Sequence, residues 1–124
     1  VVRSSLWDDA ASNVGAVTFG SGTTGISGAV SASNSLVGST LSDQVGIAGL
    51  TALSNGNYVV SSPDWGSANV GAVTFGSGTT GISGAVSASN SLVGSTLNDQ
   101  VGSSFSTSSV TALRYCRKLW MSES

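Results

Sequence analysis

NVGAVTFGSGTTGISGAVSASNSLVGSTL occupies Asn13–Leu41 and recurs, letter for letter, at Asn69–Leu97. Identity at a fixed spacing is the signature of a repeat architecture, and it constrains the fold before any local pattern does. The repeat reaches beyond the identical part. DQVG follows at Asp43–Gly46 and at Asp99–Gly102, and TAL at Thr51–Leu53 and Thr111–Leu113. VVSSPDW at Val59–Trp65 has a weaker counterpart, VVRSSLW, at Val1–Trp7. The copies differ in length only between these blocks: WDDAASN against WGSAN, and IAG against SSFSTSS. Length changes of that kind belong to loops between fixed strands.

Composition bounds the class. A chain of 124 residues is one domain's worth at most. Charged residues make up 8% and the net charge is −2, too little for a solvating disordered chain. The 40% hydrophobic fraction is mostly Val, Ala and Leu, punctuated by 17 glycines. Small and β-branched residues between glycines read as short strands and tight turns. No run is long and apolar enough for a transmembrane helix. No secretory leader precedes Val1, but the chain opens within a repeat, so that carries no weight. Histidine is absent and Cys116 is the single cysteine. That removes an intrachain disulfide framework, the usual metal clusters and most acid–base machinery. Three of the four basic residues, Arg114, Arg117 and Lys118, lie in the tail, so the repeats offer no basic face to nucleic acid.

Along the chain, strands are expected at Val1–Ser4, Ala16–Phe19 and Asn34–Gly38. Leu50–Leu53 and Tyr58–Ser62 follow, joined across Ser54-Asn55-Gly56-Asn57, where Asn-Gly supplies the positive φ values of a hairpin turn. Pro63 ends the return strand because proline cannot donate to a ladder. The second copy repeats the pattern at Ala72–Phe75 and Asn90–Gly94, and ends with Val110–Leu113. Thr23–Ser33 alternates small apolar with small polar residues and reads either as an exposed strand or as an irregular excursion. Four short strands per repeat, with no helical period, predict an all-β chain of two β-propeller-like blades, each of four short antiparallel strands. The repeats span about residues 1–53 and 54–113, with a non-repeat tail at 114–124. A β-solenoid is the alternative; the Asn-Gly hairpin favours antiparallel meanders over it. Val17, Phe19, Leu36 and Val37, with their copies Val73, Phe75, Leu92 and Val93, are expected to supply the core.

The blocks resemble FG-GAP repeats, the blades of integrin-α-type propellers. DQVG at Asp43–Gly46 stands where that family has its Phe-Gly pair, with Val45 in place of Phe. LTALSNGNYVVSSP, Leu50–Pro63, resembles the family's strand, turn and strand, with Ser62-Pro63 in place of Ala-Pro. GAVTF, Gly71–Phe75, resembles the next strand. The repeat is also similar to tandem NGNYVV arrays in large bacterial surface and haemagglutinin-like proteins. The resemblance implies an extracellular or cell-surface location and a structural or adhesive role. FG-GAP turns often hold calcium with several Asp carboxylates, but Ser54-Asn55-Gly56-Asn57 has none. The calcium site is therefore not carried over, and no cofactor is expected.

Each candidate site has a plainer reading beside it. Asp8-Asp9 reads as a solvated loop rather than a cation site, because the second copy has Gly66-Ser67 there. Asp43 and Asp99 are expected to cap turns by accepting backbone N–H bonds rather than to bind metal. Trp7 and Trp65 are the candidate ligand-binding residues, able to stack on sugars; their equivalence in both copies points first to packing between blades. The Thr-rich GSGTTG is too sparse for an ordered hydroxyl array facing ice. No nucleophile–base pair can be assembled, so no enzyme is expected. The function expected is a non-catalytic structural or adhesive module, with a carbohydrate-binding, lectin-like propeller as the alternative.

Two further expectations concern the ends of the repeats. One whole blade, roughly Leu50–Gly94, has three strands before it and one after it, whereas propellers need about four to eight blades. Val110–Leu113 is expected to complete the open blade of a neighbour, closing three or four chains head to tail into a ring. The tail departs abruptly from the repeat. Its RYCRKLW has one reading as a membrane or partner helix, too short to bind firmly alone. It can also be encoded so that a one-base shift gives Ile-Val-Val-Ser-Ser-Gly, close to the expected continuation. On that reading the tail is a frameshifted remnant and Cys116 is incidental.

Overall fold

Glycine and asparagine set where the chain turns, and the strands lie between them. The structure, a computed structural model, describes residues 1–104. The expected strand Val110–Leu113 and the tail lie outside the described residues. Among the described residues eight strands form: β1 (Val2–Ser4), β2 (Ala16–Thr18), β3 (Ser35–Val37), β4 (Gly49–Ala52), β5 (Tyr58–Ser62), β6 (Ala72–Gly76), β7 (Gly84–Ala85) and β8 (Ser91–Val93). Among the described residues there is no helix, and the protein is all-β.

Two four-stranded sheets result, in the orders β1-β2-β3-β7 and β4-β5-β6-β8. The second runs from Gly49 to Val93 and is antiparallel throughout. It is the whole blade-like unit expected at Leu50–Gly94, and β1, β2 and β3 are the three strands before it. The first sheet is antiparallel until its last strand. There β7, donated by the second copy, pairs parallel with β3, Leu36 opposite Gly84 and Val37 opposite Ala85. Val86 N–H extends this pairing to the Val37 carbonyl at 3.0 Å. A stretch read as either strand or excursion is thus both: irregular in the first copy, a short strand in the second.

The β4–β5 hairpin forms where Asn55-Gly56 predicts it, with a different turn. Only Gly56 is left-handed, at φ 91°. Its N–H donates to the Leu53 carbonyl at 3.0 Å, and Leu53 N–H donates to Asn57 at 2.8 Å. A three-residue loop of this kind needs one left-handed residue where a two-residue loop needs two. Other left-handed residues recur in both copies: Asn13 and Asn69 have φ 53° and 50°, Gln44 and Gln100 φ 47° and 50°. These residues bring DQVG back against the start of its own repeat. Val45 N–H donates to Val14 and Val101 N–H to Val70, each at 3.0 Å. Gly15 and Gly71 are required there, because a Cβ at either would collide with the Val45 or Val101 backbone.

Register decides which faces meet. Opposed residues in a ladder share a face, and faces alternate along a strand. Arg3, Val17 and Leu36 therefore share one face of the first sheet. Tyr58, Val60, Ala72 and Thr74 lie on one face of the second, and Val59, Val73, Phe75 and Leu92 on the other. The main core joins Val17, Leu36 and Val45 of the first copy to Tyr58, Val60, Ala72 and Val86. Non-equivalent faces of successive sheets are thus packed together, as in a stack with direction. Phe19 stacks on Tyr58 across this junction, rings parallel within 3° at 6.2 Å between centroids. A smaller cluster, Leu53, Val59 and Val73 with Phe75 and Val101, covers the far face of the second sheet.

The expected core needs one correction. Val17, Leu36, Val37 and Val73 are buried, and Phe19, Phe75 and Val93 are half-buried. Leu92 is 51% exposed, although its sequence twin Leu36 is fully buried. Leu36 has a following copy packed on it among the described residues, and Leu92 has none.

Candidate functional site

Trp7 and Trp65 each follow the first strand of their copy and are held by the same turn. Trp7 N–H donates to Ser4 at 3.0 Å and the Trp7 carbonyl accepts from Gly15 at 3.0 Å. The Trp65 bonds to Ser62 and Gly71 are their counterparts, at 3.2 and 2.9 Å. Both side chains are half-buried. Trp65 packs against the main core, and its indole Nε1 is buried without a hydrogen-bond partner. The structure thus packs Trp65 against the junction core.

The acidic residues do what turn chemistry asks of them. The Asp43 carboxylate accepts from Ser39 and Thr40 N–H at 2.9 Å each, closing its own turn. Its other oxygen accepts from Gly66 N–H in the second copy at 2.9 Å. Asp43 is 1% exposed, and three backbone donors offset the cost of burying its charge. Asp99 caps the equivalent turn through Ser95 and Thr96 N–H, with the Thr96 hydroxyl in place of the Gly66 contact. The Thr96 hydroxyl first, then the two N–H groups, hold the Asp99 carboxyl below the usual range against a small opposing desolvation. Asp8 accepts from Asn13 N–H at 2.6 Å within its exposed loop. Among the described residues no three His, Cys, Asp or Glu side chains gather as a metal site.

The excursions are the parts that sequence reading left unassigned. Each opens with a serine turn. Ser21 and Ser77 Oγ accept from the N–H groups two and three residues on, and Gly25 and Gly81 N–H return to the Ser21 and Ser77 carbonyls at 2.8 Å. Each closes on an asparagine: Asn34 accepts from Ser31 N–H and donates to the Ala29 carbonyl, and Asn90 does the same with Ser87 and Ala85. In the second copy the excursion runs into the junction. Asn57 Oδ1 accepts from Gly78 N–H at 2.8 Å, Gly81 lies against the Phe19 side chain, and Val86 enters the core. The Tyr58 hydroxyl is buried beside the Ile82 backbone without a well-formed hydrogen bond, and that burial raises its pKa.

In the first copy the same excursion is largely exposed. Between it and its sheet lies a cavity of about 170 Å³, walled by Val2, Thr18, Ile26, Val30 and Asn34. A second cavity of about 350 Å³ lies between the two excursions, with Phe19, Ile26, Thr80 and Ile82 in its wall. Neither has a tryptophan in its wall. No local signal marked Gly84–Val86 as the linking strand, because Gly28–Val30 has the same sequence and no strand partner.

With both copies placed, the family match is intelligible. The model of a repeat of unknown function, DUF5650, matches residues 1–47 and again 52–103. The chain belongs to the DUF5650 repeat family. It carries two DUF5650 repeats in tandem, the first ending after DQVG and the second beginning at Ala52, the last residue of β4. No curated protein and no solved structure matches the chain. No helix of the described residues is long and apolar enough to cross a membrane.

Proposed function

We infer that these DUF5650 repeats are a non-catalytic structural module whose task is to stack. The observation that carries this reading is the junction. One copy gives the other a backbone strand at β7, a core side chain at Val86 and a donor for Asp43 at Gly66. Two sheets that join non-equivalent faces are arranged like consecutive propeller blades, and stacked repeats are stabilised by their nearest-neighbour interfaces. On this reading the module belongs to a surface or secreted bacterial protein and serves adhesion or spacing, in keeping with the resemblance to FG-GAP and NGNYVV arrays. The test is cooperativity. Leu36→Asp should abolish the single melting transition of the whole chain. Two separate transitions, one surviving the substitution, would mean that the copies are independent and the stacking reading wrong.

The tryptophans support a second reading, a lectin-like propeller. Half-buried tryptophans sit at the same turn in both copies, and an aromatic ring left partly accessible can stack on a sugar. Glycan-array binding lost on both Trp7→Ala and Trp65→Ala, with folding intact, would favour it over a purely structural role.

A further inference from the structure

The two ends of the described structure are complementary, because the junction inside the chain is a template for one between chains. In the internal junction, Leu36 sits fully buried in a cluster with Val60 and Val86, with Ile82 packed against it. The first-copy equivalents of those three residues are Val2, Val30 and Ile26. They wall the cavity of about 170 Å³, with Val2 60% and Ile26 49% exposed. The equivalent of Leu36 is Leu92, 51% exposed at the opposite end. A knob without a hole and a hole without a knob are thus presented by one molecule, with the sequences that already fit each other inside it.

The backbone repeats the argument. β3 is paired on both sides, by β2 and by β7. Among the described residues β8, its twin, is the terminal strand of its sheet and pairs only β6. Gly28-Ala29, the twin of β7, belongs to no strand. An open strand edge and an unpaired segment of the right sequence recognise each other by main-chain hydrogen bonds, as in strand addition.

We propose that this chain associates head to tail with a second copy of itself. Leu92 of one molecule seats in the Val2–Ile26–Val30 cavity of the next, and Gly28-Ala29 adds as a parallel strand to the open edge of β8. The register follows from the internal junction: Leu92 opposite Gly28, Val93 opposite Ala29, and Val30 N–H donating to the Val93 carbonyl. The contact is heterologous, so each molecule keeps one free knob and one free hole. Association continues until a ring closes, or indefinitely as a filament. This inference rests on the stacking reading and adds the identity of the partner.

The experiment is complementation between Leu92→Asp, which spoils the knob, and Ile26→Asp, which spoils the hole. Both positions are exposed in the single molecule, so far-UV spectra and melting of dilute samples should match the wild type. Light scattering and sedimentation across a concentration series should show the wild type growing beyond the monomer. Each variant alone should remain monomeric. An equimolar mixture should form a 1:1 complex and nothing larger, because only one knob–hole pair survives. Wild-type growth past a dimer, beside a mixture that stops at 1:1, is the pattern a symmetric dimer interface cannot give. A wild type that stays monomeric at every concentration overturns the proposal, as does association that either variant leaves intact. Disulfide formation between Leu92→Cys and Ile26→Cys, in a Cys116→Ser background, checks the contact should an aspartate variant misfold. A mixture yielding no intermolecular disulfide overturns it equally. A cooperative melt together with a monomeric wild type would leave the stacking reading standing and remove only this proposal. A failure of cooperativity would remove the reading itself.

Discussion

Asn13–Leu41 and Asn69–Leu97 are the same sequence in two environments, and they have different fates. Leu36 is fully buried and Leu92 half exposed; Val14 is buried and Val70 only partly; Val86 is buried and Val30 is not. Local backbone is nevertheless shared: the serine turn, the asparagine clasp and the left-handed residues before Gly15 and Gly71 recur. The comparison separates two kinds of information. Short-range hydrogen bonding repeats wherever the sequence repeats. Burial belongs to position in the stack: residues at the junction are covered by the neighbouring copy, and their twins Leu92 and Val30 are not.

The largest effect should come from the same mutation made twice. Leu36→Ala should cost about 2–5 kcal/mol, because it empties a packed site. Leu92→Ala should change the stability of the single molecule by no more than about 0.5 kcal/mol. Chemical denaturation of the two variants at low concentration measures the difference. Equal losses would mean that Leu92 is packed and the asymmetry illusory.

The carboxylates come next. Asp43→Ala should cost about 1.5–3 kcal/mol, since it removes charge-assisted hydrogen bonds to part-buried N–H donors of both copies. Asp99→Ala should cost less, because water replaces the carboxylate at its exposed turn. The pH dependence of Asp99 has a definite sign. Its folded pKa is lowered, so its stabilising contribution is present above the unfolded value and is lost as pH falls through the folded one. NMR titration of the Asp99 carboxyl should show a midpoint below the ordinary aspartate value of about 3.9.

Glycines give the third contrast. Gly76→Ala should cost about 1–3 kcal/mol, because the added methyl would fall within the Tyr58 ring. At Gly20, its twin, the nearest atom is Ile26 Cγ2 at 3.1 Å, on a side chain free to move, and Gly20→Ala should be close to neutral in thermal melts.

The smallest effect tests the shared backbone. Ser42 and Asn98 occupy the same turn, each at φ 61°. Asparagine tolerates that conformation better than serine. Ser42→Asn should therefore stabilise the chain by less than about 1 kcal/mol, and Asn98→Ser should destabilise it by a similar amount.

Strand positions were legible because glycine, asparagine and proline punctuate each strand, and Tyr58–Ser62 before Pro63 was read to the residue. The turn caps Asp43 and Asp99 were legible for the same local reason. The exposure of Leu92 was not, since identical letters cannot encode different surroundings. Nor was the linking role of Gly84–Val86, whose small residues carry no strand signal of their own and pair only because an edge is offered to them. For the tryptophans, equivalence between copies pointed to packing, and the position of Trp65 against the core agrees with it.

By itself, then, the sequence determined an all-β tandem repeat, the place of its short strands and the chemistry of its turns. These depend on contacts a few residues apart, which travel with the repeat. Tertiary structure alone decided which faces meet, that the strand completing the first sheet comes from the second copy, and which leucine is left in the open. Those outcomes depend on which surfaces are already occupied when a copy docks, and two identical sequences differ in nothing else.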